Sequence, residues 1–213
     1  MSDDDGYRRL RDAIVTGELL PNERLVEADL GRMYGMGRAA VRIALVRLEQ
    51  ERLVERERHR GAKVRVVPEH EAVEILEARA MLESLAARYA ATRATDADVE
   101  ELRGYLADMR MRLDAQDLLG SSDINAVFHR RITEISGHGT AQRLVASLQS
   151  QAVRFQYRTI LSPGRPEQSY AEHAAIVEAI AAHDPAEAER AMTTHLSHVT
   201  ETLRRRTGAP LSP

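Results

Sequence analysis

The side chains best able to hold a metal ion in this 213-residue chain are histidines, because the sequence contains eight of them and no cysteine. Four lie on segments with helical periodicity, namely His129, His173, His195 and His198. Asn125 precedes His129 by four residues, so both side chains lie on one face of a helix. Histidines on separate helices form no spacing motif, and a single helical histidine is more often a packed or surface residue. The residues alone therefore leave a metal site and a structural role open.

Arg79 also stands out, because it falls on the apolar stripe of a long predicted helix. Ile75, Leu82 and Ala86 share that stripe. A buried guanidinium needs an anionic or carbonyl partner, since an unpaired buried charge costs several kcal/mol. The partner is either an internal glutamate or a dimer contact, or it is the carboxylate of a bound small molecule.

These residues belong to the second of two segments that have different patterns. Residues 7–50 show three short helical periodicities, and residues 53–66 alternate as two short strands. From Pro68 onward the chain is helical almost throughout. We therefore predict a mainly α fold that consists of an N-terminal winged helix-turn-helix domain (three helices plus a small β-hairpin wing, 1–67), an all-α antiparallel bundle of about six helices (68–206) and a frayed tail (207–213).

Charge is distributed unevenly between the two segments. The formal net charge of the whole chain is −3, which by itself argues against a nucleic-acid partner. Residues 32–65, however, hold ten basic side chains and only four glutamates. A basic block within an acidic protein favours a DNA-binding surface in the first domain.

Composition excludes several other classes of protein. Without cysteine there is no disulfide scaffold, thiol nucleophile or iron–sulfur cluster. No stretch approaches the roughly 18 consecutive apolar residues of a membrane-spanning helix. The acidic start MSDDDG also differs from a signal peptide, which needs a basic region followed by an apolar one. We therefore expect a cytoplasmic protein that has no membrane partner.

The third predicted helix has the pattern of a DNA-recognition helix. It runs from about residue 38 to residue 50, and Arg38, Arg42 and Arg47 lie off its apolar stripe. A tight turn at Gly35 separates it from the preceding helix, which gives a helix-turn-helix arrangement. The hairpin that follows forms a basic wing. We predict that these arginines bind DNA together with three wing residues, Arg60, Gly61 and Lys63.

The first domain resembles the winged helix of GntR-family repressors. The resemblance rests on the stretches IVTGELLP (14–21) and LVEADLGRMYGMGRAAVRIALVRLEQERLV (25–54). It implies that Arg38 and Arg42 contact phosphates and guanine edges, a role that suits the planar guanidinium fork, and that Gly61 is the wing glycine. Many members have serine before the first arginine and Thr-Pro after it. This chain has Gly37 and Ala39-Ala40 there, so two hydroxyl contacts are missing.

Residues 69–206 resemble the FCD effector domain of the FadR-like branch of the same family. Four motifs carry this resemblance: EARAMLE (77–83), NAVFH (125–129), EHAAI (172–176) and AMTTHL (191–196). Many FCD domains bind a divalent metal in the centre of the bundle through an Asp or Asn, a His four residues later and two further histidines. The resemblance therefore implies a divalent-metal site, with zinc as the expected ion and nickel or another first-row ion as the alternative, held by Asn125, His129, His173 and His195.

The residues and the resemblance together predict a homodimeric DNA-binding transcription regulator that acts as a repressor on a pseudo-palindromic, double-stranded operator. A small carboxylate effector, clamped by Arg79, is expected to bind the bundle and to modulate operator binding. The alternatives are an effector-independent DNA-binding protein and a metal-dependent enzyme. We expect no enzyme, because no carboxylate is evidently placed as a general base beside the histidines and the first domain would then have no role.

Overall fold

The computed structural model describes residues 3–57 and 61–207. The chain divides into two compact units, Met1–Pro68 and Glu69–Pro213. The mainly α fold predicted from the sequence is confirmed. The predicted DNA-binding residue Arg60 and the tail beyond residue 207 lie outside the described residues.

The described part of the first unit contains three helices and three short strands. Its elements are α1 (Asp3–Thr16), β1 (Arg24–Leu25), α2 (Glu27–Tyr34), α3 (Arg38–Gln50), β2 (Val54–Glu57) and β3 (Gly61–Val64).

Aliphatic side chains from one face of each helix form the core of the first unit. Leu10 of α1, Leu30 of α2 and Val41, Leu45 and Leu48 of α3 are almost fully buried. The three residues of α3 recur at helical spacing, so they all point to one side of that helix. The opposite side of α3 is thereby left to solvent.

The turn between α2 and α3 depends on Gly35. Its φ of 64° and ψ of 35° lie in the left-handed region, which favours glycine because a Cβ is disfavoured there. The Gly35 N–H donates to the carbonyl of Gly31 and ends α2. The chain is therefore free to start α3 at Arg38, in a new direction.

The wing is an antiparallel hairpin of β2 and β3, in which Val54 lies opposite Val64 and Glu57 lies opposite Gly61. The short strand β1 pairs with the other edge of β3, so the strand order is β1-β3-β2. This third strand is an addition to the predicted two-stranded wing. It places Arg24 opposite Lys63.

The second unit has six helices within residues 69–207, as predicted from the sequence. They are α4 (Glu69–Arg93), α5 (Asp96–Asp114), α6 (Leu118–Ile135), α7 (Gly139–Ile160), α8 (Arg165–Ala181) and α9 (Pro185–Thr207). None of the helices in the described part of the chain is long and apolar enough to cross a membrane.

Polar caps mark where several of these helices begin. The hydroxyl of Thr95 accepts the N–H of Asp98, and the Asp98 carboxylate accepts the N–H of Thr95, which forms a capping box before α5. The Nδ1 atom of His138 accepts the N–H of Ala141 at the start of α7. These caps fix where α5 and α7 begin.

Helix α4 packs against α6, α7, α8 and α9. Its alanines Ala87, Ala90 and Ala91 are fully buried, and their small size allows close approach of the neighbouring helices. Phe128 on α6 and Ile176 on α8 are also fully buried. Each lies within one turn of a predicted metal-ligating histidine, so the same packing turns those histidines inward.

Candidate metal centre and nucleic-acid interface

Three of the predicted metal-ligating histidines meet inside the helical unit. His129, His173 and His195 come from α6, α8 and α9, and each is no more than 3% exposed. One ring nitrogen from each lies within 4.8 Å of the corresponding nitrogens of the other two. The Nε2 atoms of His173 and His195 are 3.2 Å apart. Three helices thus bring three imidazoles close enough to share one metal ion.

Asn125, the fourth predicted ligand, lines the same cavity as the three histidines. Its Oδ1 atom is buried and has no hydrogen-bond partner among the described residues. A buried amide oxygen without a partner costs free energy, and such an atom calls for a bound group. The donor set therefore fits a metal ion, because three imidazoles and one amide oxygen are all neutral ligands for a divalent cation.

Burial keeps two of these histidines neutral. It lowers the pKa of His173 well below its ordinary value, and the electrostatic effects of His195, His129 and Arg165 lower this pKa further. Burial also lowers the pKa of His195, followed by the effects of His129 and Arg165. A neutral imidazole offers a lone pair, which is the form that binds metals.

Arg79 is buried, as its place on the apolar stripe predicted, and its partner is the internal glutamate Glu83. The Nε and Nη2 atoms of Arg79 donate to Oε1 of Glu83, each at 2.8 Å. The other oxygen, Oε2, lies 2.7 Å from Nδ1 of His129. Burial raises the pKa of Glu83, but Arg79 and His129 outweigh it and hold the pKa at about 2.

A second glutamate contacts the cluster from the other side. Oε2 of Glu172 lies 2.7 Å from Nδ1 of His195 and accepts from Nη1 of Arg165 at 2.8 Å. Its Oε1 atom lies 2.6 Å from Nδ1 of His198. His198 therefore lies outside the cluster of three and contacts Glu172, which in turn contacts His195.

Sequence reasoning missed three of these residues: Glu83, Arg165 and Glu172. The sequence made no carboxylate evident beside the histidines, whereas in the fold both glutamates contact them. The i, i+4 spacing of Arg79 and Glu83 was a usable signal for the first pair. Arg165 follows a turn and carries no periodic signal, so only the folded chain reveals its position.

The cavity beside the histidines has apolar lining residues together with basic and hydroxyl-bearing ones. Arg79 and Arg165 both line it, and no acidic side chain does so among the described residues. Hydroxyl groups make up much of the remaining polar wall, contributed by Ser121, Ser122, Thr159, Ser169 and Tyr170. Such a wall suits a small molecule that carries negative charge and hydrogen-bonding oxygens.

In the first unit, the exposed face of α3 has the form of a nucleic-acid interface. Arg38 and Arg42 are both exposed on it. The Nε atom of Arg42 donates to Oε2 of Glu27 on α2 at 2.9 Å. Because the Arg42 side chain is 67% exposed, its guanidinium is accessible to a ligand.

The remaining predicted DNA contacts have different surroundings. Arg47 lies against α1, where its guanidinium is 3.6 Å from the centre of the Tyr7 ring and its Nη1 donates to Asp4 at 3.0 Å. Lys63 is half-buried on β3 and lies 3.5 Å from a carboxylate oxygen of Glu55. Gly61 is exposed, with a φ of 89°. Arg47 thus ties α1 to α3, while 41% of its side chain remains exposed.

The winged helix-turn-helix arrangement of the first unit is that of a DNA-binding protein. The family model described as bacterial regulatory proteins, gntR family, matches residues 4–64, and the FCD domain model matches residues 74–198. The chain therefore belongs to the GntR family, in the group whose second domain is an FCD domain.

Relatives of known class agree with this assignment. The chain is 30% identical to the HTH-type transcriptional repressor GlaR of Escherichia coli (strain K12), over 90% of this chain and 91% of that protein. It is also 30% identical to the HTH-type transcriptional repressor NanR of Enterobacter sp. (strain 638), over 90% of this chain and 79% of that protein. Together with the family match, these relatives support a DNA-binding transcriptional repressor and not an enzyme.

The fold has a solved counterpart. The structure of E. coli McbR/YncC matches with a TM-score of 0.81 at 20% identity and covers 97% of this chain and 99% of that chain. At this level of identity the likeness concerns the fold alone.

Proposed function

We propose that the helical unit binds a divalent metal ion and a small organic acid, and that the acid modulates the affinity of the winged unit for its operator. One observation carries the proposal: three buried imidazoles lie close together in a cavity that they share with a buried amide oxygen, and this oxygen has no hydrogen-bond partner among the described residues. Buried polar atoms of folded proteins are nearly always hydrogen-bonded, so this oxygen supports a bound group at the site.

The proposed metal ligands are Asn125, His129, His173 and His195. Imidazole nitrogen favours first-row ions over magnesium and calcium, so zinc is the first candidate and nickel or another first-row ion the second. A bound metal would supply positive charge and open coordination positions. The chain itself supplies the orientation, because the histidines are held by three packed helices.

Charge balance supports an anionic effector. The two buried arginines, Arg79 and Arg165, are compensated by Glu83 and Glu172, and the four proposed ligands are neutral. The charge of a divalent ion would therefore remain uncompensated within the site. A carboxylate can supply the missing negative charge, with N–H groups of Arg79 and the hydroxyl wall available to bind its other oxygens.

The proposed DNA contacts are Arg38 and Arg42 on α3 and the wing residues Arg60, Gly61 and Lys63. A guanidinium suits the paired acceptors on the major-groove edge of guanine, and a lysine suits phosphate. Arg47 contributes by tying α1 to α3. We propose a homodimer on a pseudo-palindromic operator, because helix-turn-helix proteins generally read two half-sites with two recognition helices.

The two functions can be coupled through helix packing. The cavity is lined by residues of all six helices of this unit, so a bound acid contacts several helices at once. In a dimer, paired recognition helices must match the spacing of the half-sites, so a small rearrangement is enough to weaken binding. Coupling free energies of this kind are typically about 1–3 kcal/mol.

The metal is tested by elemental analysis of the full-length protein purified without a nickel column. We expect close to one equivalent of a first-row metal per chain after reconstitution, and a strong loss in His173→Ala. His70→Ala serves as the matched control, because His70 is exposed and lies outside the cluster. Equal, negligible metal in wild type and His173→Ala would contradict the proposal.

The effector is tested by a thermal-shift screen of small organic acids on the metal-loaded protein, followed by operator binding with each acid that stabilises it. We expect at least one acid to raise the melting temperature and to weaken operator binding, and to be returned chemically unchanged. If no acid changes stability or DNA binding, the effector-independent alternative is correct.

A further inference from the structure

Each of two cluster histidines is held at its Nδ1 atom by a glutamate that also binds a buried arginine. Glu83 joins Arg79 to His129, and Glu172 joins Arg165 to His195. His173 differs, because its Nδ1 atom is buried without a hydrogen-bond partner among the described residues. The two glutamates are thus candidates for setting which nitrogen of His129 and His195 faces the proposed metal.

An ionised carboxylate has no proton to donate, so it can only accept a hydrogen bond. At 2.7 Å from a carboxylate oxygen, the Nδ1 atoms of His129 and His195 must therefore carry the proton. In a neutral imidazole this leaves the lone pair on Nε2, the nitrogen that the metal needs. The Nη2 atom of Arg165 also lies 3.4 Å from Nδ1 of His195, but the shorter contact to Glu172 decides the tautomer.

The two glutamates use their oxygens differently. In Glu83, one oxygen accepts from Arg79 and the other contacts His129. In Glu172, a single oxygen, Oε2, contacts both Arg165 and His195, and Oε1 contacts His198. This difference determines what happens when one oxygen is replaced by an amide NH₂ group.

We propose that Glu83 and Glu172 are positioning residues that hold His129 and His195 in the metal-binding tautomer, and that only Glu83 requires both carboxylate oxygens for this role. The consequence of these tautomers, which is tighter binding of a metal ion, rests on the proposed metal site. The tautomers themselves belong to the metal-free protein and can be measured there.

At position 83 an amide forces the wrong tautomer. The guanidinium of Arg79 has only donors, so the amide oxygen must face it, and the amide NH₂ must then face His129. Nδ1 of His129 can bond to that NH₂ only as an acceptor, which moves its proton to Nε2. The reverse orientation places NH₂ against the guanidinium, two buried donors in contact, which is unfavourable.

At position 172 an amide can be accommodated. Its oxygen replaces Oε2 and still accepts from Arg165 and His195, while its NH₂ faces Nδ1 of His198. The side chain of His198 is 39% exposed, so it can change tautomer and bond to water through Nε2. Gln168 Nε2 lies 3.1 Å from the same Nδ1 atom and is a second amide donor beside it.

The test uses ¹⁵N-histidine NMR on metal-free, full-length protein, which identifies the protonated nitrogen of each ring. In wild type we expect the proton of His129 and His195 on Nδ1. In Glu83→Gln we expect the proton of His129 on Nε2, and in Glu172→Gln we expect His195 to be unchanged. A proton on Nε2 of His129 in wild type would overturn the proposal without any variant.

Zinc affinity, measured by competition with a chromophoric chelator, is the second readout. Loss of an outer partner of a ligating histidine typically weakens metal binding about 10–100-fold, and we expect this for Glu83→Gln. Zinc affinity should fall much less in Glu172→Gln, although both variants lose the same negative charge. Equal losses of zinc affinity in the two variants would overturn the proposal that only Glu83 requires both carboxylate oxygens.

A double variant separates this positioning role from a general effect on folding. In Arg79→Met/Glu83→Gln the amide oxygen at position 83 no longer bonds to a guanidinium, so it can turn towards Nδ1 of His129. We expect the proton to return to Nδ1 and zinc affinity to recover most of the loss, which a structural defect at position 83 would not do. If wild type binds no zinc while the tautomers are as expected, the proposed metal function fails and the positioning inference stands.

Discussion

Arg42 in the winged unit and Arg79 in the helical unit each pair with a glutamate, but in opposite surroundings. The side chains of Arg42 and Glu27 are 67% and 35% exposed, whereas those of Arg79 and Glu83 are 10% and 1% exposed. An exposed ion pair contributes about 0–1 kcal/mol, while removal of one partner of a buried pair costs about 3–5 kcal/mol. Arg42 can therefore leave Glu27 for another anion at little cost, whereas Arg79 must stay paired with Glu83 if the helical unit is to keep its stability.

The comparison extends to the two candidate sites as a whole. The proposed DNA-binding face of α3 is formed by exposed side chains, Arg38 and Arg42, whose conformations can adapt to a ligand. The histidine cluster is formed by buried side chains whose orientation is set by hydrogen bonds before a ligand arrives. Pre-organisation of this kind lowers the cost of binding a small ion or molecule.

The largest effect is expected when the buried pair is broken. Arg79→Met leaves Glu83 buried beside His129 without its main cationic partner, and we expect the free energy of unfolding of the helical unit to fall by about 3–5 kcal/mol. Urea unfolding of metal-free protein, followed by circular dichroism, measures this. The control is Arg103→Met, which removes an exposed arginine paired with Glu100. Similar losses in both variants would remove the distinction between the two kinds of pair.

The next effect concerns stabilisation by metal. An ion present at about 100 times its dissociation constant stabilises the folded state by about 2.7 kcal/mol. We expect a gain of this size in wild type on addition of zinc, and almost none in His173→Ala. Denaturant midpoints with and without zinc provide the measurement. The exposed His70 gives the control variant, His70→Ala, which should keep the full gain; loss of the gain there would show that zinc acts outside the cluster.

A smaller effect is expected at the exposed face of α3. Arg42→Ala should weaken operator binding by about 1–3 kcal/mol and remove the preference for guanine at one position of each half-site. Duplexes selected from a random library with the wild-type protein supply the operator for this measurement. Arg32→Ala is the control, because Arg32 is an exposed arginine of α2 that pairs with Asp29. An equal loss of operator affinity in both variants, without a change in sequence preference, would mean that Arg42 contacts a phosphate and does not read a base.

The two units also differ in how far the sequence predicts them. Periodicity and turn residues predicted three helices and a wing in the first unit and six helices in the second, because both signals are local. The predicted wing lacked β1, since a two-residue strand such as Arg24–Leu25 leaves no alternation to detect. The predicted DNA contact Arg47 lies against Tyr7 of another helix, a contact that no pattern within α3 indicates.

The site in the helical unit shows where sequence reasoning ends. The cluster of Asn125 with three histidines was predicted through family resemblance, since separate helices give no spacing motif. The residues that orient the cluster were missed, because they depend on which side chains meet across helices. Glu172, for example, binds His195 and His198 of α9 from its place on α8. Only the packed bundle determines such contacts.

The smallest effect, and the most direct test of the comparison, is expected for Glu27→Gln. The pair with Arg42 is exposed, so the unfolding free energy of the winged unit should change by less than about 1 kcal/mol. Affinity for random duplex DNA should rise, because one negative charge is removed beside the face that meets phosphate. Fluorescence anisotropy over a range of salt concentrations measures this, and Glu100→Gln provides the same change of net charge in the other unit. A loss of unfolding free energy as large as that of Arg79→Met would mean that the exposed pair of Glu27 and Arg42 stabilises its unit as much as the buried pair does. Exposure would then not explain the difference between the two pairs.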